Sequence, residues 1–318
     1  MTPSFDVVGV GLNATDTLIM VPHFPAFAGK ARFEDEATMP GGQVASAMAA
    51  CARLGLRTKY IGAVGDDERG RVQLASLAEA GIDATDVKVR RNCATQSAYI
   101  IVDGATGERT VLWRRDDALS IEPADIAPEH IACGRLLHID GHDTPAVARA
   151  AAIARGLGIP VTVDVDTIYP GFDRVLPHVD YLVASAEFPA RWTGLRDPFQ
   201  ALETLQKEYG MKVAAMTLGA HGALAREGGR FVYAPAYLVD AVDTTGAGDV
   251  FHGAFCYAVL EGMSIGRALD FSNAMAALNC TALGARAGIR GLEEVRALMA
   301  RPERRANAEF AARAAAGN

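Results

Sequence analysis

The chain has 318 residues, half of them hydrophobic and 22% charged, which suits one large soluble α/β domain or a domain with an appendage. A net charge of -7 argues against nucleic acid as a partner, because phosphate backbones select basic surfaces. Cys51, Cys93, Cys133, Cys256 and Cys280 are odd in number and never spaced Cys-x-x-Cys, which reads as reduced thiols of a cytoplasmic protein; no membrane span or signal peptide is visible.

Residues 5–10 predict a buried strand ending at Gly9-Val10-Gly11. The Gly-x-Gly-x-x-Ala spacing of residues 9–14 matches a dinucleotide fingerprint, but that fingerprint must continue into a helix. Val21-Pro22-His23-Phe24-Pro25 forbids one, so NAD is set aside. Residues 17–20 and 31–37 are short extended stretches. Gly41-Gly42 opens a helix that runs to Leu54 and stops at Gly55. A strand over 60–64 and a helix over 70–80 follow. Residues 65–72 have P-loop glycine spacing, yet they lack its Lys and Ser/Thr and carry three acids, which excludes a P-loop.

Residues 97–102 and 109–113 flank Asp103-Gly104-Ala105-Thr106-Gly107, a hairpin turn. With the stretches before residue 40 they form a small antiparallel lid, whose work is to exclude water. Strands at 136–139, 161–165, 181–184 and 213–218 then alternate with helices at 145–157 and 198–209, the rhythm of a parallel sheet covered on both faces. His138, Asp140 and His142 alternate at the end of a strand. They could form a metal-like set, but a ligand pocket at the sheet edge explains them more simply. Residues 301–318 are Ala/Arg-rich and read as a fraying helix or as disorder.

The most specific stretch is Asp243-Thr244-Thr245-Gly246-Ala247-Gly248-Asp249, a turn that hands over to a helix. Gly246 and Gly248 leave backbone N–H groups uncovered at the positive end of that helix, so the turn can hold an anion. Asp249 would repel the anion, but it suits the removal of a proton from a hydroxyl about to attack phosphate.

With Phe251-His252-Gly253-Ala254 behind it, this string resembles the C-terminal signature of the ribokinase / phosphofructokinase-B (pfkB) family of carbohydrate kinases, and the resemblance covers about residues 5–298. It implies a ribokinase-like three-layer α/β sandwich with a central, mostly parallel sheet and a small β lid. The kinase domain would occupy residues 1–300, with lid segments at about 15–40 and 95–115, and a C-terminal tail over 301–318. ATP and Mg2+ are the implied cofactors and a sugar the implied acceptor.

Asp249 matches the family's catalytic base, and Gly246, Ala247 and Gly248 its anion hole. Asp16 matches the hydroxyl-binding acid and Gly41-Gly42 the pair that lets backbone approach the sugar. Ser46 stands where some members place a sugar-binding Asn. Lys30, Arg32 and Arg114 are lid charges on the acceptor side. Ser185 and Glu187 replace the usual Asn-x-x-Glu phosphate and magnesium motif, with the acid displaced. Thr217, Gly219 and Gly222 match the nucleotide-lining segment, and Asn273 the residue beside adenine.

Asp243 and Thr245, with carbonyls of 280–284, match a monovalent-cation (K+) site whose side-chain ligand is replaced by Gly288. The lid is also the expected homodimer surface. Gly29-Lys30 and residues 249–254 are similar to sulfofructose kinase, whereas residues 106–112 and 137–141 are similar to ketohexokinase; the sulfonate-binding Arg of the former is Gly141 here. A nucleoside kinase and a non-catalytic ligand-binding relative are the alternatives.

Overall fold

Alternate residues along the main strands are buried on opposite sides, and this pattern creates three layers. Val8, Val10, Leu137, Ile139, Leu182, Ala184, Ala214 and Met216 join one core, packed by helices Thr144–Gly156 and Pro198–Tyr209. Val7, Leu136, Val183, Val213 and Ala215 face the other way, onto helices Gln43–Arg53, Ala247–Leu260 and Ile265–Asn279. The computed structural model describes residues 3–317.

The eight-stranded sheet has the order Arg230–Ala234, Ala223–Glu227, Val213–Thr217, Tyr181–Ala184, Val161–Val165, Gly134–Ile139, Phe5–Val10, Thr58–Ile61. The last six are mutually parallel, and the first two form an antiparallel edge. Winding reverses at Phe5–Val10, so the loops leaving its end and that of Gly134–Ile139 part and open a crevice. From Val10 the chain passes into another strand, Ala14–Val21, and no nucleotide-type helix follows.

A four-stranded lid stands off that crevice in the order Asp35–Gly41, Ala14–Val21, Ser97–Asp103, Arg109–Arg114. It is not wholly antiparallel: its two central strands are parallel, because both leave the body at the same end. Only the two outer pairings are antiparallel. The extended stretch expected at 31–37 becomes a strand only from Asp35.

The strand expected at 60–64 is broken at Gly62, where a Cβ would lie 2.1 Å from Tyr60 Oη. Thr58–Ile61 stays in the main sheet, and Ala63–Gly65 pairs with Lys88–Arg90. Of the acids in the false P-loop, Asp67 caps helix Glu68–Glu79 by accepting from Gly70 N at 2.9 Å.

The tail is ordered and docked. Arg304–Arg305 pairs with Ala236–Tyr237, and helix Ala308–Ala316 is capped by Asn307 and buries Ala314. Phe310 packs on Phe199 at 5.6 Å between ring centroids. All five cysteines are free, and no described helix is long and apolar enough to cross a membrane.

Candidate active site

Gly246 starts the key helix in the left-handed region, at φ 72°, with its α-carbon packed where any Cβ would lie 2.3 Å from Ala285 O. This turn leaves the N–H groups of Gly246, Gly248 and Asp249 without a protein acceptor, whereas Ala247 N–H turns back to Thr244 O at 3.3 Å. Three free amides at a helix start form a cradle for an oxyanion. A Cβ at Gly248 would meet nothing within 4 Å, so the open side of the cradle belongs to a ligand.

Asp249 stands in the first turn of that helix, partly open to the cleft but with enough protein around it to strip much of its water. Burial raises its pKa to about 7, helped by the neighbouring carboxylates of Asp164, Asp16 and Asp166 and opposed by Arg286. Asp164 itself stays ionised. Burial works against its charge, but the His252 Nε2 contact at 3.1 Å outweighs this and holds its pKa below the ordinary value. His252 lies one turn beyond Asp249 on the same helix.

Asp16, 6% exposed, lies in the lid strand Ala14–Val21. Burial raises it to about 6, against the pull of Arg286. A Cβ on Gly41 would fall 2.0 Å from Asp16 Oδ2, and Gly42, at φ 92°, sits 2.4 Å in the same sense from Asn13 Cα. Both glycines are therefore required for the chain to close over Asp16. Asn13 donates to Tyr60 Oη and Ala63 O, each at 2.8 Å, while its Oδ1 is buried without a partner. Ser46 is fully buried and accepts from Arg286 Nε at 3.1 Å.

The side chains of Lys30, Arg32 and Arg114 are exposed and make no hydrogen bond or ion pair among the described residues. The inward-turned lid cation is Arg115, which donates to Gln96 and to both oxygens of Asp143. The lid tip reaches the anion cradle, where Arg109 Nη1 donates to Thr244 Oγ1. Beside Gly141, a Cβ would lie 2.3 Å from the Tyr169 ring, so no longer side chain fits there. His138, Asp140 and His142 do not converge. His138 meets Thr162, His142 meets Tyr169, and Asp140 accepts from Leu12 N and His142 N.

On the far side of the cradle is a cavity of about 260 Å³ lined by Thr217, Gly219, Gly222, Gly248, Phe251 and Asn273. Asn273 Nδ2 donates to Ala234 O and Pro235 O, which fixes one wall. Gly222, at φ 94°, lies where a Cβ would be 2.0 Å from Ala234 O. Ser185 Oγ donates to Asp166 O at 3.4 Å, and Glu187 is exposed, its carboxylate without a partner among the described residues.

Asp243 Oδ1 accepts from Thr245 N and Oγ1, and its Oδ2 from Gly284 N. Asn279 Nδ2 donates to both Thr245 O and Ala285 O, at 3.2 and 3.1 Å.

Sequence reading did not single out Asp164, Asp166, His252 or Arg286 as site residues. Asp164 and Asp166 had a signal, an Asp-Val-Asp at the carboxyl end of a parallel strand. Arg286, set among small residues, had none.

Residues 6–290 match the profile described as pfkB family carbohydrate kinase. A protein of Halopiger xanaduensis described as an ATP-dependent ribose-1-phosphate kinase is 30% identical over 285 residues, which is 88% of this chain and 93% of that protein. A solved structure from Agrobacterium tumefaciens, described provisionally as a ribokinase, superposes with a TM-score of 0.87 at 32% identity, over 93% of this chain and 97% of that one. One from E. coli, described provisionally as ribokinase II in complex with ATP and Mg2+, gives 0.79 at 24% identity, over 93% and 99%, a likeness of fold. The sandwich with its small lid is thus ribokinase-like.

Gly41→Ala tests the expected Asp16–acceptor contact, since the new methyl displaces that carboxylate. If Asp16 binds the acceptor, KM rises about tenfold or more in a variant that circular dichroism shows to be folded. An unchanged KM would remove Asp16 from acceptor binding.

Proposed function

The chain belongs to the pfkB family of carbohydrate kinases, and from that footing we propose that it moves the γ-phosphate of ATP onto a sugar hydroxyl, with Asp249 as the base. The observation that carries this reading is the adjacency of a carboxyl raised to about 7 and three unpartnered amides on one helical turn. A base is most effective when its pKa lies near the working pH, and an oxyanion cradle is most effective when formed in advance.

Asp16 and the backbone at Gly41-Gly42 orient the acceptor. Its hydroxyl proton passes to Asp249 as the oxygen bonds to the γ-phosphorus, and the bond to the β-phosphate oxygen breaks, releasing ADP. The amides of Gly246, Gly248 and Asp249 hold the charge that gathers on the transferred group. In this reading ATP lies in the cavity lined by the 217–222 turn and Asn273, with its phosphates toward Gly248. Asp166 and Glu187 offer hard oxygen donors of the type Mg2+ takes, with Ser185 beside them; the ion neutralises phosphate charge when bound. Tyr99 and Leu112, paired across the lid, and Trp113 are exposed, which supports the lid as a homodimer surface.

The residues matched to a monovalent cation are already engaged by protein donors. Both oxygens of Asp243 accept, and Asn279 Nδ2 donates to the carbonyls of Thr245 and, next to the matched 280–284 stretch, Ala285, while Asn279 Oδ1 is buried without a partner among the described residues. We propose that this amide stitches the two loops together in the cation's stead.

Asp249→Asn is expected to lower kcat on the order of a hundredfold or more with ATP binding retained, measured by steady-state kinetics and calorimetry. Near-wild-type kcat would remove Asp249 as base. Initial rates in K+ and in Na+ at equal ionic strength are expected to agree within about twofold, whereas Asn279→Ala loosens the stitch and lowers the rate in both. Strong activation by K+ would show that the loops open to admit it.

A further inference from the structure

Arg286 lies in the loop between helices Ile265–Asn279 and Leu292–Met299, and its guanidinium is held by four neutral acceptors. Nε donates to Ser46 Oγ at 3.1 Å, Nη1 to Ser76 Oγ at 3.0 Å, and Nη2 to Gly41 O at 2.7 Å and Gln73 Oε1 at 3.4 Å. It forms no ion pair among the described residues. A half-buried guanidinium used only as a brace would ordinarily be paired with a carboxylate, because leaving the charge unmatched is costly. Here the fork is clamped by neutral partners, and the carboxyls of Asp16 and Asp249 act on its charge without an ion-pair contact.

Its position gives that charge a use. Gly41, whose carbonyl it grips, is the residue folded against the Asp16 carboxylate. Ser46, fully buried, orients the guanidinium through its hydroxyl. Arg286 also lies close enough to Asp16 and Asp249 for its field to act on both carboxyls. A guanidinium has five N–H donors, so at least one remains beyond the four protein contacts, on a planar group that matches carboxylate and phosphate. By contrast, the side chains of Lys30 and Arg114 are exposed to solvent.

We propose that the acceptor of this kinase is an anionic sugar, a sugar acid or a sugar phosphate, whose negative group docks on Arg286. The reacting hydroxyl then faces Asp249 and the anionic group the Ser46–Gly41 side. This rests on the kinase reading above, but its test does not depend on turnover.

The test is calorimetric binding of matched pairs to the wild-type protein: ribose with ribose 1-phosphate, fructose with fructose 1-phosphate, glucose with gluconate. At least one anionic member is expected to bind about tenfold or more tighter than its neutral partner. The phosphate and carboxylate arms show which anion the site takes. Arg286→Gln is expected to erase the preference and Arg286→Lys to restore part of it.

Neutral members that bind as well as or better than every anionic one would overturn the proposal, even if Arg286→Gln fails to fold. So would a preference that survives intact in a folded Arg286→Gln. ATP turnover, measured separately, judges the kinase reading: anionic preference without turnover would contradict that reading and leave the Arg286 site standing.

Discussion

Two opposing fields meet at Asp249. The helix it begins presents free amides that favour negative charge, while desolvation and the carboxylates of Asp164, Asp16 and Asp166 favour the protonated form. Asp164 is the pivot, because His252 keeps it ionised although it is buried beneath the cleft. Remove the Asp164 charge and the pKa of Asp249 falls, although burial, the larger cause, still holds it above that of an ordinary carboxyl. In the proposed reaction, the group that accepts the proton is made more basic first by burial and then by the carboxylates around it.

Close backbone approaches put these charges in place. Gly246 against Ala285 and Gly222 against Ala234 leave no room for a Cβ, and a Cβ on Gly41 would displace the Asp16 carboxylate; each sits on a different wall of the cleft. The parallel sheet supplies the floor, since its strands end together where winding reverses. The lid closes the space from above and rests its tip on Thr244, so that acceptor and donor sides share one cover.

Local signals in the chain were readable where one short stretch contains the whole device. Helix Pro198–Tyr209 falls where its marks lie, with Asp197 capping, Pro198 at the first position and Gly210 at φ 66° past the end. The Gly246–Asp249 turn is likewise contiguous. What could not be read is assembled from afar. Arg286 reaches Ser46 across 240 residues of sequence, and His252 becomes meaningful only once strand Val161–Val165 brings Asp164 beneath it. The lid's central parallel pairing has no turn to announce it, and the tail read as a fraying helix or as disorder because the partners that dock it, Phe199 and Tyr233, lie in other elements. The carboxylates of Asp164 and Asp166 were visible as residues but silent as a field.

That field can be measured through the pH dependence of kcat/KM in the wild-type protein and in Asp164→Asn, which keeps an oxygen for His252 while removing one negative charge. A base works only when deprotonated, so activity should climb with pH through an acid limb near 7, an apparent value shared among the coupled carboxyls. In Asp164→Asn the limb should move to lower pH, because the charge that raises Asp249 is gone. A profile without an acid limb between about pH 5 and 9, or a limb that stays in place in Asp164→Asn, would contradict Asp249 as a base tuned by its neighbours.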